Sequence, residues 1–544
     1  MKSYLRHSCI WLWPLLAAAL LLGLCLRLAL GGLPVQTAYP FATGILLDGG
    51  SRLLDGQVPY LDFHTPIGFT YLALLAGFLR LADGLPHALA LLSASMGIVI
   101  GAWAWWLATA RCPAPLAAAV ALLCGLLAAS PALFGYGPLE VSYGGHYSRL
   151  AWAVLATVII QAALPLCATS TAQPSSRRAT AVRNWSETLG LGLCLGVLLG
   201  TKFTFLFAAL AILAASWWFR PPTLRLLPAI LVGCVAATVA GLLASGTSLA
   251  AYLHDCSGLG GSVSVIHLLR EYLRELDFLG LALIGAMAVW SWPTHRSVWQ
   301  WSWRTPLPEV PTLAIIALAL GLILSATTGI EDASPSYLFA MLILTSGRTD
   351  GGHAAVHGPL LICGAVLCSF SARLAMPIIK GPYAAHSHHL TLPAGPWRGL
   401  DFMPGVPGTT DRDALIRYLW IQPRNLVDNL WYLYLADADR LLRPLVGARE
   451  RVMSLDYANP FPYLLGRPAP RGDHLYWSFD RNVTPATAPP AANLFADADW
   501  VVVPKLELYN NSSSSKQGLY LAWIKTHYQL HASSPWWDCY RRAP

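Results

Sequence analysis

Long apolar stretches with almost no charged side chains follow one another along residues 1–377. Several approach or exceed the roughly 20 residues that a helix needs to cross the hydrocarbon core of a bilayer. The composition agrees, because 55% of the residues are hydrophobic and only 12% are charged, against about 25% charged residues in soluble proteins. The sequence therefore predicts a mainly helical, polytopic membrane protein. The net charge of +8 comes from scattered arginines without a basic run, so the sequence predicts no nucleic-acid partner.

The distribution of arginine sets the predicted orientation. The first apolar run, 9–30, follows Lys2 and Arg6, which favours a signal anchor with a cytoplasmic N-terminus. Further along the chain, the positive-inside rule assigns a set of arginines to cytoplasmic loops, namely Arg177, Arg178, Arg183, Arg220, Arg225, Arg296, Arg304 and Arg348. This assignment predicts spans near 150–167, 187–201, 203–219, 226–244, 278–292, 309–327, 335–347 and 357–377.

The same assignment constrains the segments upstream. An even number of crossings must separate the predicted outer loops 31–65 and 132–149, yet three apolar segments lie between them, at 67–82, 87–110 and 114–131. The first of these is short for a span and contains Arg80. We therefore expect 67–82 to lie in the outer interface without crossing, which leaves a total of about eleven spans.

The last part of the chain has a different composition. Almost half of the charged residues lie in 378–544, which is less than a third of the sequence. Helical spacing over 411–445, strand-like runs in ARERVMSL and ADWVVVPK, and a helix-then-strand pattern from Gly518 predict a small α/β domain. We expect 1–377 to form the membrane core and 378–544 an extracytoplasmic domain, which would be periplasmic in a bacterium.

Three predicted outer loops, 31–65, 132–149 and 245–277, hold the polar residues that suggest chemistry. In the last loop, the charged stretch 270–275 is typical of an amphipathic helix on the membrane surface. Cys256 in this loop and Cys539 near the C-terminus are the only cysteines in predicted extracytoplasmic segments, so they are the one pair that could form a disulfide there.

Asp62 and His64, in PYLDFHTP, end the first outer loop. A carboxylate at this place can act as a general base, and a neighbouring histidine can bind an anionic group. The alternative is structural, because aspartate is a good helix cap and Pro66 favours the first turn of a helix.

A second polar group follows in the loop 132–149 and contains Glu140, Tyr143, His146 and Arg149. Arg149 could instead reach the interface without a further role. Lys202 then interrupts a long apolar run in LLGTKFTF. A lone lysine between two short spans can simply mark a turn, but charges at membrane depth are costly and an ammonium is a compact phosphate-binding cation.

These loops resemble those of the C-type (GT-C) membrane glycosyltransferases, a superfamily that includes the protein O-mannosyltransferases and the aminoarabinose transferase of lipid A. The resemblance lies in a first span followed by an outer loop ending in G-x-x-P-Y-x-D-F-x-x-P, in the acidic Glu140 of the second loop, and in a Leu/Gly-rich span, GLCLGVLLGTKF, that ends at Lys202. The motif residues of the first loop are Gly56, Pro59, Tyr60, Asp62, Phe63 and Pro66. The likeness covers about residues 10–220 and the plan of a membrane core with an outer C-terminal domain.

The resemblance implies transfer of a sugar from a polyprenyl-phosphate donor to an acceptor hydroxyl at the outer membrane face, with inversion. The acceptor would be a lipid, a glycan or a protein, and membrane lipid would surround the donor's tail. It implies catalytic carboxylates among Asp62, Glu140, Asp48 and Asp55, and substrate-binding side chains among His64, Tyr60, Tyr143, His146, Arg149 and Lys202. No cofactor follows with certainty, although a carboxylate could also hold a divalent metal, and the metal site is unknown.

The sequence departs from the family in one place. Many members carry an acidic residue soon after the first span, where this chain reads PVQTAYPF. Either the catalytic carboxylate lies at Asp48, Asp55 or Asp62, or the protein is an inactive glycan-binding scaffold. A transporter or flippase for a lipid-linked sugar is a further alternative, but it would favour inverted repeats and mid-span ionisable groups, which we do not find in the sequence.

Overall fold

The structure, a computed structural model, describes residues 2–34, 39–132, 140–164, 166, 177–222, 224–258, 309–328, 335–346, 353–380, 390–391, 401–402, 424–479, 482–506 and 512–543. The described chain is mainly helical with a C-terminal part of mixed helix and strand, which confirms the predicted fold class. The predicted span at 278–292 and the predicted surface helix at 270–275 lie outside the described residues.

The described helices of the first part of the chain agree with most of the predicted apolar segments. They are α1 (Lys2–Gly31), α2 (Pro40–Leu54), α3 (Phe69–Leu81), α4 (Ala88–Ala108), α5 (Ala114–Ala129), α6 (His146–Ala163), α7 (Arg177–Thr201), α8 (Phe203–Phe219), α9 (Leu227–Ser245), α10 (Leu249–Gly258), α11 (Glu309–Thr328), α12 (Ser336–Ser346) and α13 (His353–Lys380). Two bounds differ clearly from the prediction. The first turns of α7 contain Arg177, Arg178 and Arg183, which we had placed in a loop, and α13 continues through Pro377 to Lys380.

Four described helices are long and apolar enough to cross a bilayer, at Leu12–Gly31, Ala88–Ala108, Leu224–Ser245 and Ile362–Lys380. Large apolar side chains of α9 face outward, for example Leu231 at 65% and Leu243 at 78% exposure. Such a surface is unfavourable in water and favourable in lipid. The protein is therefore an integral membrane protein. Helix α3 has only 13 residues, fewer than the roughly 20 needed for a crossing.

Helices α7 and α9 pack in very close contact because glycines line their interface. A Cβ atom at Gly192 would lie 2.1 Å from the carbonyl oxygen of Ile230, and one at Gly196 would lie 2.5 Å from that of Cys234. Small residues spaced four apart let two helix backbones approach in this way. The contact holds the C-terminal end of α7, and therefore Lys202 just beyond it, in a defined place.

The C-terminal part is built around a four-stranded sheet. Its strands are β4 (Val452–Ser454), β6 (Trp500–Pro504), β7 (Tyr528–Ser533) and β8 (Trp537–Arg542), in the order β4-β6-β8-β7, with β4 and β6 parallel and the other pairs antiparallel. The described helices here are α14 (Arg424–Leu442), α15 (Phe461–Leu465), α16 (Ala491–Leu494) and α17 (Ser512–His527). Short strands β2 (Leu390–Thr391) and β3 (Asp401–Phe402) form a separate antiparallel pair. The strands predicted in ARERVMSL and ADWVVVPK and the final helix-then-strand order are confirmed.

The first outer loop is joined to the C-terminal part by backbone pairing. Strand β1 (Phe63–His64) runs parallel to β5 (Asp473–His474). The side chain of Arg52 donates to the carbonyl oxygen of Pro470 at 2.8 Å, and that of Gln57 to the carbonyl of Ala469 at 2.7 Å. The disulfide that we considered between Cys256 and Cys539 is absent from the structure, where both of these described cysteines are free.

Candidate active site

The loop that ends the first outer segment folds on itself through Asp62. The Asp62 carboxylate accepts a hydrogen bond from the Val58 amide at 2.8 Å and lies 3.5 Å from the Arg471 guanidinium. Tyr60 has a positive φ of 69° and its hydroxyl donates to the Ile67 carbonyl at 2.7 Å. The alternative that Asp62 caps α3 is wrong, because the N-cap is Gly68 and no side chain caps it. Asp62 and Tyr60 thus shape the loop.

His64 forms a close pair with Asp255, a residue of α10 that the sequence did not single out. The Nδ1 atom of His64 lies 2.7 Å from Oδ1 of Asp255, while Oδ2 accepts from the Thr65 amide at 3.1 Å. The hydrogen bond to the carboxylate raises the pKa of His64 above its usual 6.5. The side chain of His64 is 36% exposed, against 11% for Asp255, so a solute can reach the imidazole and hardly the carboxylate.

Asp473, His474 and Lys516 of the C-terminal part lie behind this pair. We call these five residues, His64, Asp255, Asp473, His474 and Lys516, the outer polar cluster. The rings of His64 and His474 are 5.1 Å apart, and burial together with His64 lowers the pKa of His474 to about 4. The fully buried Lys516 donates to the Ser454 carbonyl at 2.8 Å and lies 3.6 Å from Asp473. Burial lowers the pKa of this ammonium.

The two other acidic candidates of the first loop differ in environment. Asp48 is 2% exposed and pairs with Arg52 at 2.7 Å, and burial raises its pKa to about 6. Asp55 follows the last turn of α2 and is exposed. Asp48 is paired with Arg52, whose guanidinium also donates to the Pro470 carbonyl of the C-terminal part, and the catalytic role of Asp48 stays a prediction.

A second set of polar side chains lies among the helices, and His146 is at its centre. Its Nε2 atom is 3.1 Å from the Ala128 carbonyl and 2.9 Å from the Ser93 hydroxyl, and its Nδ1 is 2.9 Å from the Tyr71 hydroxyl. A carbonyl only accepts, so Nε2 carries the proton and Nδ1 accepts from Tyr71. Both ring nitrogens are therefore engaged by α3, α4 and α5, and the substrate-binding role of His146 stays a prediction.

Arg149 and its neighbours close the second outer loop. The guanidinium of Arg149 donates to the carbonyl oxygens of Gly144 and Ser142, both at 2.8 Å, and is fully buried. It therefore does not reach out to the interface, and that alternative is wrong. Tyr143 is also buried, with its ring 5.5 Å from that of His146. Glu140 is half-buried at the end of the described part of this loop.

Lys202 lies at the break between α7 and α8 and is 9% exposed. Its ammonium donates to the Ser148 hydroxyl at 2.9 Å and lies 5.3 Å from the centre of the Tyr147 ring and 5.6 Å from that of Phe205. The predicted end of one helix at 201 and start of the next at 203 are confirmed. This hydroxyl and these two aromatic faces stabilise the cation.

The break at Lys202 meets the loop that carries His64. The Gly68 amide donates to the Thr201 carbonyl at 3.1 Å, and a Cβ atom at Gly68 would lie 2.3 Å from the Gly200 carbonyl oxygen. On the other side, the ring of Tyr252, one turn before Asp255, contacts Phe203 at 6.4 Å and Tyr60 at 5.0 Å. The aromatic cluster of Tyr60, Phe69 and Tyr252 therefore joins the helix of Asp255 to Phe203, the residue after Lys202. Of the predicted site residues, His64 and Tyr60 lie in this loop, and Lys202 follows the Thr201 contact. The Lys202 ammonium faces Tyr147, whose ring is 6.0 Å from that of Tyr71, the hydrogen-bond partner of His146. Asp48 lies close enough to Asp473 of the outer polar cluster for their charges to interact.

Sequence reasoning missed most of the outer polar cluster. Asp255 stands in LHDCSG, within the predicted outer loop 245–277, and Asp473 and His474 stand in RGDHLYW. The available signal was an acid beside a histidine in each segment, His254-Asp255 and Asp473-His474. The residues of the cluster come together only through contacts between distant parts of the chain, such as that between His64 and Asp255, which are 191 residues apart. The described residues contain no group of three or more His, Cys, Asp or Glu arranged to hold a metal ion, so the divalent metal stays a prediction.

Comparison with known proteins gives likenesses of overall shape. No family model and no curated protein matches the chain. Among solved structures, the chain is similar to ArnT from Cupriavidus metallidurans bound to undecaprenyl phosphate, at 12% identity, 97% coverage of both chains and a TM-score of 0.46. For the apo state of the same ArnT, the identity is 11%, the coverage is 98% of both chains and the TM-score is 0.45.

A third similar structure is the archaeal oligosaccharyltransferase AglB from Archaeoglobus fulgidus, in complex with an inhibitory peptide and a dolichol-phosphate. The identity is 12%, the coverage is 95% of this chain and 72% of that chain, and the TM-score is 0.38. At such low identity and TM-score, no residue's role is transferred from these proteins to this chain.

Proposed function

We propose that the protein is a membrane glycosyltransferase that moves a sugar from a polyprenyl-phosphate donor to an acceptor hydroxyl at the outer face of the membrane. The proposal rests on the chain's own residues and on the resemblance of its loops to GT-C enzymes. The observation that carries it is the position of Lys202, an almost buried cation beside the loop of the G-x-x-P-Y-x-D-F-x-x-P motif.

A lipid phosphate suits this position on physical grounds. A cation kept among apolar helices is costly, so it is retained where it binds something. The apolar outer surfaces of helices such as α8, where Phe207 is 57% exposed, offer a path for a polyprenyl tail. The phosphate would then add an ion-paired, charge-assisted hydrogen bond to the contacts of the Lys202 ammonium.

The reaction would be a direct displacement. The acceptor oxygen attacks the anomeric carbon, the bond between that carbon and the phosphate oxygen breaks, and polyprenyl phosphate leaves with inversion at carbon. Lys202 would stabilise the negative charge that develops on the leaving phosphate, where a preorganised cation is most effective. Of the four proposed carboxylates, Asp48 and Asp62 are placed beside arginines. Glu140 and the exposed Asp55 remain acidic candidates.

The experiment that tests this function measures binding of undecaprenyl phosphate to the purified protein in detergent. Lys202→Met keeps the length and apolar stem of the side chain and removes the charge. We expect it to weaken binding roughly tenfold or more, since a charged hydrogen bond contributes about 1.5–3 kcal/mol. Lys380→Met, at the exposed end of α13, is the matched control and should bind like the wild type. Equal binding by the two variants would contradict the proposal.

One observation favours the scaffold alternative. The chain has no acidic residue just after its first span, and Asp48, one of the carboxylates that could replace it, is already paired with Arg52. A scaffold would bind glycan without releasing polyprenyl phosphate. Appearance of free undecaprenyl phosphate when the protein is mixed with undecaprenyl-phosphate hexoses and membrane extract would exclude it.

A further inference from the structure

The His64–Asp255 pair has the geometry of a proton-transfer group. The Asp255 carboxylate lies beside Nδ1 of His64 and accepts a hydrogen bond from it. A neutral His64 therefore carries its proton on Nδ1 and has a lone pair on Nε2. Asp255 is itself fixed by the Thr65 amide, which holds the ring in one orientation. The imidazole is partly exposed while its partner is not. A fixed carboxylate and an oriented, partly exposed imidazole are the parts of an acid–base dyad.

The surroundings of His64 favour proton uptake from a neutral substrate. The titratable groups that face it are Asp255 from α10, and Asp473 and His474 from β5. His474 is neutral at pH 7, since its pKa is lowered to about 4. The adjacent acids stabilise the imidazolium that forms when Nε2 accepts a proton. In the proposed function the phosphate is bound by Lys202, whose neighbour Phe203 packs against the aromatic cluster of Tyr60, Phe69 and Tyr252.

We propose that His64 is the general base of the transferase and that Asp255 is its positioning residue, an inference that rests on the proposed glycosyl transfer. As the acceptor oxygen bonds to the anomeric carbon, its proton passes to Nε2 of His64 and the electron pair of the breaking bond leaves with the polyprenyl phosphate. The proton then returns to solvent. This assignment supplies the base that the segment after the first span lacks, and it differs from the carboxylate roles predicted from sequence.

The test compares His64→Gln with His254→Gln. His254 precedes Asp255 on the same helix and is exposed, so its replacement should leave activity unchanged. The assay follows release of undecaprenyl phosphate from undecaprenyl-phosphate hexoses extracted from the host's membranes, with membrane lipids and glycans as acceptors. We expect His64→Gln to lower kcat by roughly 100-fold or more, as for loss of a general base, and added imidazole to restore part of the rate to His64→Ala.

Two further readouts separate a base from a phosphate ligand or a merely structural histidine. For a base, kcat rises with pH as Nε2 loses its proton, and Asp255→Asn shifts this rise to lower pH because the negative charge that raises the pKa of His64 is gone. His64→Gln should also bind undecaprenyl phosphate like the wild type. A rate that falls as pH rises through this range, or a loss of lipid-phosphate binding in His64→Gln, would overturn the assignment.

The same experiment distinguishes failure of the proposed function from failure of the base assignment alone. A wild-type protein that neither binds undecaprenyl phosphate nor releases it from the host's own donors contradicts the proposed function, and the base assignment with it. An active wild type with an equally active His64→Gln variant contradicts the base assignment alone.

Discussion

The difference between Asp62 and Lys202 shows what decides the role of a single polar residue. Both residues lie in motifs that are recognisable in the sequence. The break at Lys202 was predictable because one charge interrupts an apolar run. The role of Asp62 was not predictable, because its carboxylate accepts a hydrogen bond from the amide of Val58, four residues earlier. The partner of His64 could not be found from spacing at all, since Asp255 reaches it only through the packing of α10 on the loop.

His474 gives a prediction about pH. Its pKa is lowered from 6.5 to about 4 in the folded protein, so its contribution to stability is present above pH 6.5 and is lost as pH falls towards 4. At about 1.4 kcal/mol per pKa unit, the contact would weaken by up to roughly 3 kcal/mol. The measurement is hydrogen-exchange protection of the Leu475 amide, which donates to the His64 carbonyl. His474→Gln should flatten this pH dependence.

His254→Gln is the control for that experiment, because His254 is exposed and outside the β1–β5 contact. An unchanged loss of protection in His474→Gln would show that another group drives the acid weakening.

At the scale of elements, the membrane helices were largely predictable because apolar length alone identifies them. The bounds of α8, 203–219, agree with the sequence, whereas α7 begins well before the apolar run because its first turns are polar. The close approach of α7 to α9 was not predicted. It depends on which glycines face a neighbour, and the pattern GLCLGVLLG shows only that small residues recur every four positions.

Gly196→Leu tests that interface. The new side chain would meet the backbone of α9 at Cys234, so the helices must separate and the Lys202 turn must move. We expect a lower melting temperature in detergent and weaker binding of undecaprenyl phosphate. Gly23→Leu in α1, where no heavy atom lies within 4 Å of an added Cβ, should change neither. Normal lipid-phosphate binding by Gly196→Leu would show that α7 and α9 do not set the position of Lys202.

At the scale of the whole molecule, the sequence predicted a membrane core and a mixed C-terminal part from the distribution of charge. It could not predict that the two are joined by a parallel β1–β5 pair and by the Arg52 contact with Pro470. Those contacts require the first outer loop and the C-terminal part to lie on one side of the membrane. The predicted number of spans and the extracytoplasmic placement of 378–544 stay predictions.

Thiol labelling in intact cells tests the orientation. Ala522→Cys, on the exposed face of α17, should react with a membrane-impermeant maleimide, whereas Ala181→Cys, among the arginines that begin α7, should react only after the membrane is permeabilised. Each signal is measured above that of the unsubstituted protein. Labelling of Ala181→Cys alone in intact cells would reverse the topology and place the outer polar cluster in the cytoplasm.

The central claim is that Lys202 receives a lipid-borne phosphate beside the loop that carries His64. A cryo-EM structure of the protein with undecaprenyl phosphate tests it most directly. The account predicts phosphate density within hydrogen-bond distance, roughly 2.7–2.9 Å, of the Lys202 ammonium, with the tail following the apolar surface of the helices. Phosphate density bound elsewhere, with Lys202 still donating to Ser148, would contradict it.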